Sequence, residues 1–233
     1  MQHPLGERVR FAGIQKTSLI DYPDRIATVL FTPGCNLRCP YCHNWRLVLE
    51  PKGPFLEEED LVNILESRKK FVDAVVITGG EPTIHQDLSL FLQKLKSRGF
   101  TIKLDTNGFF PKILKECLPH LDYVAMDIKT CPEKYRLLGD ANIENVKRSI
   151  EMLKRGNLDY EFRNTVAPII VEEDCIPKIG ELVNGSKRFV FQQFVPGDTL
   201  DKAYDAVKPY PSETIAQFIE TMNCYVKDVK LRL

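Results

Sequence analysis

Three cysteines, Cys35, Cys39 and Cys42, are crowded into TPGCNLRCPYCHNW in the spacing C-x3-C-x2-C. Thiolates are soft ligands that suit zinc and iron–sulfur clusters alike. A structural zinc site wants a fourth cysteine or histidine at compatible spacing. His43 follows Cys42 directly, where it is poorly placed to complete the same tetrahedron, and Cys117, Cys131, Cys175 and Cys224 are single and scattered. Three ligands on a four-iron cluster would leave one iron open to a substrate, which is the chemically useful arrangement. Spacing alone leaves an iron–sulfur site, a distorted zinc site and coincidence open. The odd total of seven cysteines argues for reduced thiols or metal ligands over a disulfide framework.

The cysteine loop follows a β-branched run, IATVLFT (26–32). Similar runs recur at AVVIT (74–78), FTIKLD (100–105), YVAMDI (123–128), EFRNTVA (161–167) and RFVFQQF (188–194). Between them apolar residues take helical spacing: Leu61, Ile64 and Leu65; Leu88, Phe91, Leu92 and Leu95; Val146, Ile150 and Leu153; Ile215, Phe218, Ile219 and Met222. Strand then helix, repeated, predicts βα units on a parallel sheet. A full eightfold barrel takes ~250 residues, more than the chain offers. The expected fold is α/β, a partial (β/α)6 barrel of parallel strands with outer helices; an open doubly wound sheet of the same units also fits. In either form ligands sit at the carboxyl ends of the strands. One domain is expected over 1–233, with a lead-in at 1–25, a core at about 26–200 and a C-terminal helix at about 211–225.

The 233 residues carry 32 Lys+Arg against 32 Asp+Glu and are 43% hydrophobic, which excludes fibrous and disordered classes. A chain of this size buries roughly 70% of its unfolded surface without help from a metal, so any metal is expected to serve chemistry. Zero net charge gives no long-range attraction to nucleic acid or an anionic bilayer. MQHPLGERVRFAGIQ holds no apolar run of signal-peptide length, and no stretch approaches the ~20 residues that span a bilayer. A cytoplasmic protein with neither nucleic-acid nor membrane partners is expected.

Other strand ends carry candidate groups. TGGEP (78–82) follows the second run, and its two glycines would let a ligand approach the backbone or simply make a tight turn. Asp105 ends the third run in LDTNGFF, where a carboxylate could accept hydrogen bonds from a cationic or ribosyl ligand, and Asn107-Gly108 is a turn pair. In YVAMDIKT, period-two alternation puts Val124, Met126 and Ile128 on one face and Ala125, Asp127 and Lys129 on the other. Arg163 lies in EFRNTV, facing a site or a structural ion pair. His85 is read as a surface residue at a helix entry, Trp45, beside the loop, as packing over a cluster held there, Cys131, just past Lys129, as the one extra cysteine with a candidate role at the mouth, and EEED (57–60) as an acidic first helical turn.

Taken together, these motifs resemble the radical S-adenosylmethionine superfamily. CNLRCPYCHN, with Tyr41 before the last cysteine, is similar to its glycyl-radical-enzyme activating branch, and TGGEP, DTNG and DIK follow in that family's order. The resemblance runs from about residue 12 to 198. It implies a 4Fe-4S cluster on Cys35, Cys39 and Cys42, whose open iron chelates S-adenosylmethionine, and one-electron cleavage of that cofactor to a 5′-deoxyadenosyl radical. It also implies that Tyr41, Gly79, Gly80, Glu81, Asp105, Asp127, Lys129 and Arg163 bind the cofactor. No side chain is assigned as acid or base. The lead-in KTSLIDYP is similar to anaerobic ribonucleoside-triphosphate reductase activating proteins, with Asp24 where those often have glycine. The implied partners are a glycyl radical enzyme, foremost the catalytic subunit of that reductase, and a reduced flavodoxin or ferredoxin type electron donor. The chain departs from pyruvate formate-lyase activators after the sixth run, where Val195 and Pro196 stand near the place of a histidine. No cysteine lies between Cys42 and Gly79, so a ferredoxin-like insert is not expected. Two rival readings are a radical enzyme acting on a small molecule and a non-catalytic iron–sulfur module.

Overall fold

The computed structural model describes residues 9–49, 51, 53–139 and 142–232; the start of the lead-in, residues 1–8, lies outside the described residues. Eight strands form one sheet in chain order: β1 (Gly13–Tyr22), β2 (Arg25–Thr32), β3 (Ala74–Gly79), β4 (Thr101–Thr106), β5 (Tyr123–Asp127), β6 (Asp159–Val166), β7 (Arg188–Gln193) and β8 (Asp228–Arg232). The helices are α1 (Trp45–Leu49), α2 (Glu58–Arg68), α3 (Leu88–Ser97), α4 (Pro111–Cys117), α5 (Ile143–Arg155), α6 (Cys175–Leu182) and α7 (Ser212–Met222). β2 pairs parallel with β3, β3 with β4, β6 with β7 and β7 with β8. Sequential strand order is that of a (β/α) barrel; a doubly wound sheet would permute it. The six expected strands are β2 to β7.

β1 and β8 were not expected. β1 pairs antiparallel with β2, and most of its residues are exposed or half-buried, so it has no apolar period to betray it. The turn between them is nonetheless legible in chemistry: Asp24 has φ 58°, a left-handed conformation that glycine adopts freely and aspartate tolerates. Ser18 is buried within this strand, donates to Asp21 Oδ2, and marks a break in the ladder register. β8 is a short edge strand whose residues are exposed or half-buried.

The chain divides into two compact units: one runs up to Cys35 and over Arg46–Thr106 and Lys112–Val124, the other over Asn36–Trp45, Asn107–Pro111 and from Ala125 onward. In the first, β2 to β4 supply a continuous apolar layer, including Val29, Leu30, Val75, Val76, Ile77, Ile102 and Leu104, all essentially inaccessible. Such unbroken runs, not alternation, are what a sheet covered on both faces requires. Leu61, Leu65, Phe91 and Leu95 cover it from α2 and α3, with Phe11 against Phe91 at 4.8 Å. α2 opens on Glu58, Glu59 and Asp60, the expected acidic first turn. In the second unit, Phe189, Phe191 and Phe218 form a buried aromatic seam.

One loop of the second unit is strained. Ile169, after β6, has φ 76° although it is β-branched. Its neighbours' carbonyls hold it there: Tyr204 Oη donates to Pro168 O at 3.0 Å, Tyr210 Oη to Val171 O at 2.9 Å, and Thr130 Oγ1 to Ile170 O. The side chain is 58% exposed, so it offsets little of the cost. Ile169→Asn is therefore expected to stabilise the protein by about 1 kcal/mol, raising Tm by roughly 2–4 °C. A lowered Tm in a thermal melt would show that the isoleucine is anchored instead.

Candidate functional site

In the first unit, the TGGEP segment is fastened to the backbone leading into the cysteine loop. Gly80 N donates to Thr32 O at 2.9 Å, and Glu81 N to Gly34 O at 2.8 Å. A β-carbon on Gly79, whose φ is 121°, would lie 2.4 Å from both N and O of Thr32; one on Gly80 would lie 1.8 Å from Gly34 O. The glycines are thus required by the fold itself, whatever else approaches them. Glu81 is 1% exposed. Its Oε1 accepts from Thr83 N at 3.0 Å, from the Thr83 hydroxyl, and from Thr106 Oγ1 at 2.6 Å, tying the 3₁₀ turn Pro82–Ile84 to the end of β4. Asp105 is paired with Lys103, a nearly inaccessible lysine that no sequence pattern singled out. His85, expected at the surface, is half-buried, and its Nε2 lies 3.0 Å from Pro33 O, so it braces the same loop.

In the second unit, the loop carrying Cys39 and Cys42 is held by backbone bonds from two directions. Arg38 N donates to Leu138 O at 2.7 Å, Leu200 N to Cys42 O at 3.0 Å, and Asp201 N to Pro40 O at 2.9 Å. Trp45 Nε1 donates to Asp198 Oδ1 at 3.3 Å, with the Lys202 ammonium over its ring. Trp45 thus belongs to the contact with the segment after β7. Asn107 Nδ2 donates to Asn36 Oδ1 at 2.8 Å, giving the DTNG asparagine a role in locating the loop. Gly108, at φ 77°, accepts from Ser149 Oγ of α5 at 2.7 Å.

Asp127, Lys129 and Arg163 form one group. Arg163 Nε donates to Asp127 Oδ1 and Lys129 Nζ to Asp127 Oδ2, each at 2.9 Å. Burial would raise the Asp127 pKa, but the two cations outweigh it and hold it at about 2. Burial would lower Lys129, yet Asp127 leads the negative groups that hold it well above the ordinary lysine range. Asp127 thus receives two cations, one on each carboxylate oxygen. Because Asp127 is depressed from 3.8 to about 2 on folding, it stabilises the protein above about pH 4, and about 2 kcal/mol is lost as pH falls toward 2. Asp127→Asn is expected to flatten the fall in stability between pH 5 and 3; urea midpoints that fall as steeply as in the parent protein would refute this.

Lys129 also acts on the cysteines. Burial pushes the Cys39 thiol up to about 11 and raises that of Cys42, while Lys129 pulls both toward thiolate. Tyr41, which is buried, sits beside Cys39; burial raises its pKa well above the ordinary tyrosine range. Its hydroxyl helps to lower Cys39 without making a hydrogen bond of ordinary geometry to any described residue. Tyr135, missed in the sequence, accepts from Lys129 N at 3.1 Å through its phenolic oxygen. Cys131 is 1% exposed and lies beside the buried Cys175 thiol.

Of the sequence candidates, the structure gathers Cys39, Tyr41, Cys42, Asp127, Lys129 and Arg163 within the second unit. It gathers Gly79, Gly80 and Glu81 about the backbone before Cys35 within the first. None of the three loop cysteines is in a disulfide, and among the described residues no three His, Cys, Asp or Glu side chains stand together in metal-holding geometry. The donor set nevertheless fits an iron–sulfur cluster: soft thiols that burial keeps protonated, with the adjacent Lys129 cation partly offsetting that burial and able to face a carboxylate-bearing ligand. No described helix is long and apolar enough to cross a membrane.

Comparison with known proteins agrees with this chemistry. Residues 29–182 match the Radical SAM superfamily model. The chain is 33% identical over 231 residues, covering 95% of both chains, to a Methanocaldococcus jannaschii protein named as a glycyl-radical enzyme activating enzyme. It is 27% identical over 204 residues to the pyruvate formate-lyase-activating enzyme of Clostridium pasteurianum, covering 82% of this chain and 83% of the relative. The crystal structure of QueE from Escherichia coli superposes with a TM-score of 0.60 at 18% identity, over 97% of this chain and 94% of that one, a likeness of fold. The chain belongs to the radical S-adenosylmethionine superfamily, in the branch of the glycyl-radical enzyme activating enzymes.

Proposed function

We propose that this chain generates a glycyl radical on a partner enzyme, the catalytic subunit of an anaerobic ribonucleoside-triphosphate reductase. It would do so with one 4Fe-4S cluster held by Cys35, Cys39 and Cys42. When bound, the cluster supplies one electron to S-adenosylmethionine, releasing methionine and a 5′-deoxyadenosyl radical that takes a hydrogen atom from the partner's glycine. The single observation that carries the reading is the Asp127–Lys129–Arg163 group, whose Lys129 ammonium acts on both Cys39 and Cys42.

The chain's own residues position and neutralise. Lys129, with its charge fixed by Asp127, faces the cofactor carboxylate and favours the thiolate form of both cysteines. Asp127 balances that charge or the sulfonium, and Arg163 keeps Asp127 ionised. Gly79 and Gly80 bring bare backbone to the methionyl end, Glu81 locks the turn that carries them, and Asp105 accepts from the ribosyl end. Tyr41 closes one side of the cysteine loop against Tyr204, ring to ring at 6.4 Å. The KTSLIDYP lead-in favours the reductase as partner. A reduced flavodoxin or ferredoxin is the electron donor, and the site of action is the cytoplasm.

The test is anaerobic reconstitution with iron and sulfide, reduction with S-adenosylmethionine, and addition of the reductase subunit or, in parallel, pyruvate formate-lyase. A glycyl doublet in electron paramagnetic resonance on the reductase supports the proposal. A doublet on pyruvate formate-lyase alone would overturn the choice of partner. Cofactor cleavage with no doublet on either would favour a small-molecule substrate.

A further inference from the structure

The lysine beneath Asp105 has no part in the proposed chemistry. Lys103 and Asp105 leave the same face of β4, two residues apart, and the Lys103 ammonium donates to Asp105 Oδ1. The lysine side chain is 2% exposed and the aspartate 12%, so the pair grades from the interior toward the open end of the strand. Stability offers little reason for it. A buried ion pair is expensive to desolvate, and well-packed apolar residues of similar volume often do as well or better. What the pair does supply is orientation: a long, enclosed side chain pressing one carboxylate oxygen from below.

The other face of the same strand end is fixed as well. Thr106 Oγ1 donates to Glu81 Oε1 at 2.6 Å, and Thr83 Oγ1 lies within 3.4 Å of Thr106 Oγ1. Asp105 is thus the partly open member of a strand terminus whose neighbours on both faces are pinned by buried polar contacts. We propose that Lys103 is a positioning residue for S-adenosylmethionine binding, acting through Asp105, whose carboxylate it orients toward the ligand. This rests on the reading of Asp105 as a cofactor-binding residue.

The test is a double-mutant cycle in the full chain after anaerobic reconstitution: Lys103→Met, Asp105→Asn and the pair together. Equilibrium dialysis of S-adenosylmethionine gives the dissociation constant, and thermal unfolding gives a separate readout. Lys103→Met is expected to weaken the cofactor about tenfold and to lower Tm, because it leaves the half-buried Asp105 carboxylate without its cation, and the double variant should recover part of that Tm. In the Asp105→Asn background the same change should cost less than about twofold, because the two act as one unit. Equal losses in both backgrounds, or a lowered Tm at unchanged affinity, would make Lys103 merely structural and overturn the proposal. Unchanged affinity in Asp105→Asn alone would instead remove Asp105 from the site, a distinct failure. Should Lys103→Met not fold, Lys103→Gln keeps a neutral donor and is expected to lose an intermediate amount; wild-type affinity there would count against a role for the charge.

Discussion

Cys39→Ala is expected to give a folded protein that retains little iron and cleaves S-adenosylmethionine at least about 10²-fold more slowly. Cys39 is 8% exposed, and its thiol is pushed to about 11, so the metal-free protein keeps it protonated near neutrality. A metal ligand must be thiolate, so loading expels that proton and should become more favourable as pH rises. Lys129 reduces the opposition from burial, which couples the cofactor-facing charge to metal loading. Losing the sulfur leaves two donors from the proposed trio, while the cavity costs only about 1 kcal/mol of stability. The exposed Cys224 supplies the control: Cys224→Ala should load iron and turn over as the parent does. Iron and sulfide content, visible absorbance and 5′-deoxyadenosine release check the outcome, with circular dichroism confirming the fold. Full iron content and parental turnover in Cys39→Ala would end the cluster assignment.

The parts that could be read from the sequence are those with a period or a fixed chemical spacing. β2 to β7 show as β-branched runs because strands covered on both faces must be apolar along their length. The loop cysteines and the DIK motif show because packing alone seldom puts soft ligands or opposed charges at the ends of apolar strands. β1 stayed hidden because an exposed antiparallel strand such as GIQKTSLIDY needs no apolar period. Lys103 stayed hidden for a different reason. Within FTIKLD a lysine reads as solvent-facing, and only the fold reveals that its strand is enclosed and that Asp105 receives it. Contacts between distant segments, such as Asn36 with Asn107 or Cys42 with Leu200, carry no local signal, since either partner alone is an ordinary loop residue. His85 misled for the same reason: its partner, Pro33 O, is a backbone atom that no side-chain pattern announces.

Gly80→Ala is expected to destabilise the protein by about 3 kcal/mol or more. The added methyl would sit 1.8 Å from the Gly34 carbonyl oxygen, which belongs to backbone and cannot rotate away as a side chain would. Relief requires the two segments to part, which sacrifices the bonds from Gly80 N to Thr32 O and from Glu81 N to Gly34 O. Gly34 immediately precedes Cys35 and has φ 80°, so it has little freedom to yield without carrying the first cysteine with it. Loss of stability and loss of iron should therefore appear together. Gly13→Ala is the matched control, because its nearest neighbour, Phe31 Cδ2, lies at an ordinary 3.9 Å; it should change urea midpoints little. The comparison separates two reasons for a glycine in this motif. If Gly80 serves only to admit the cofactor, Gly80→Ala will unfold at the parental urea concentration and lose S-adenosylmethionine affinity alone. If the close approach to Gly34 governs, unfolding will shift to lower urea before any cofactor is added, and the glycine will be seen to hold the cysteine loop in place.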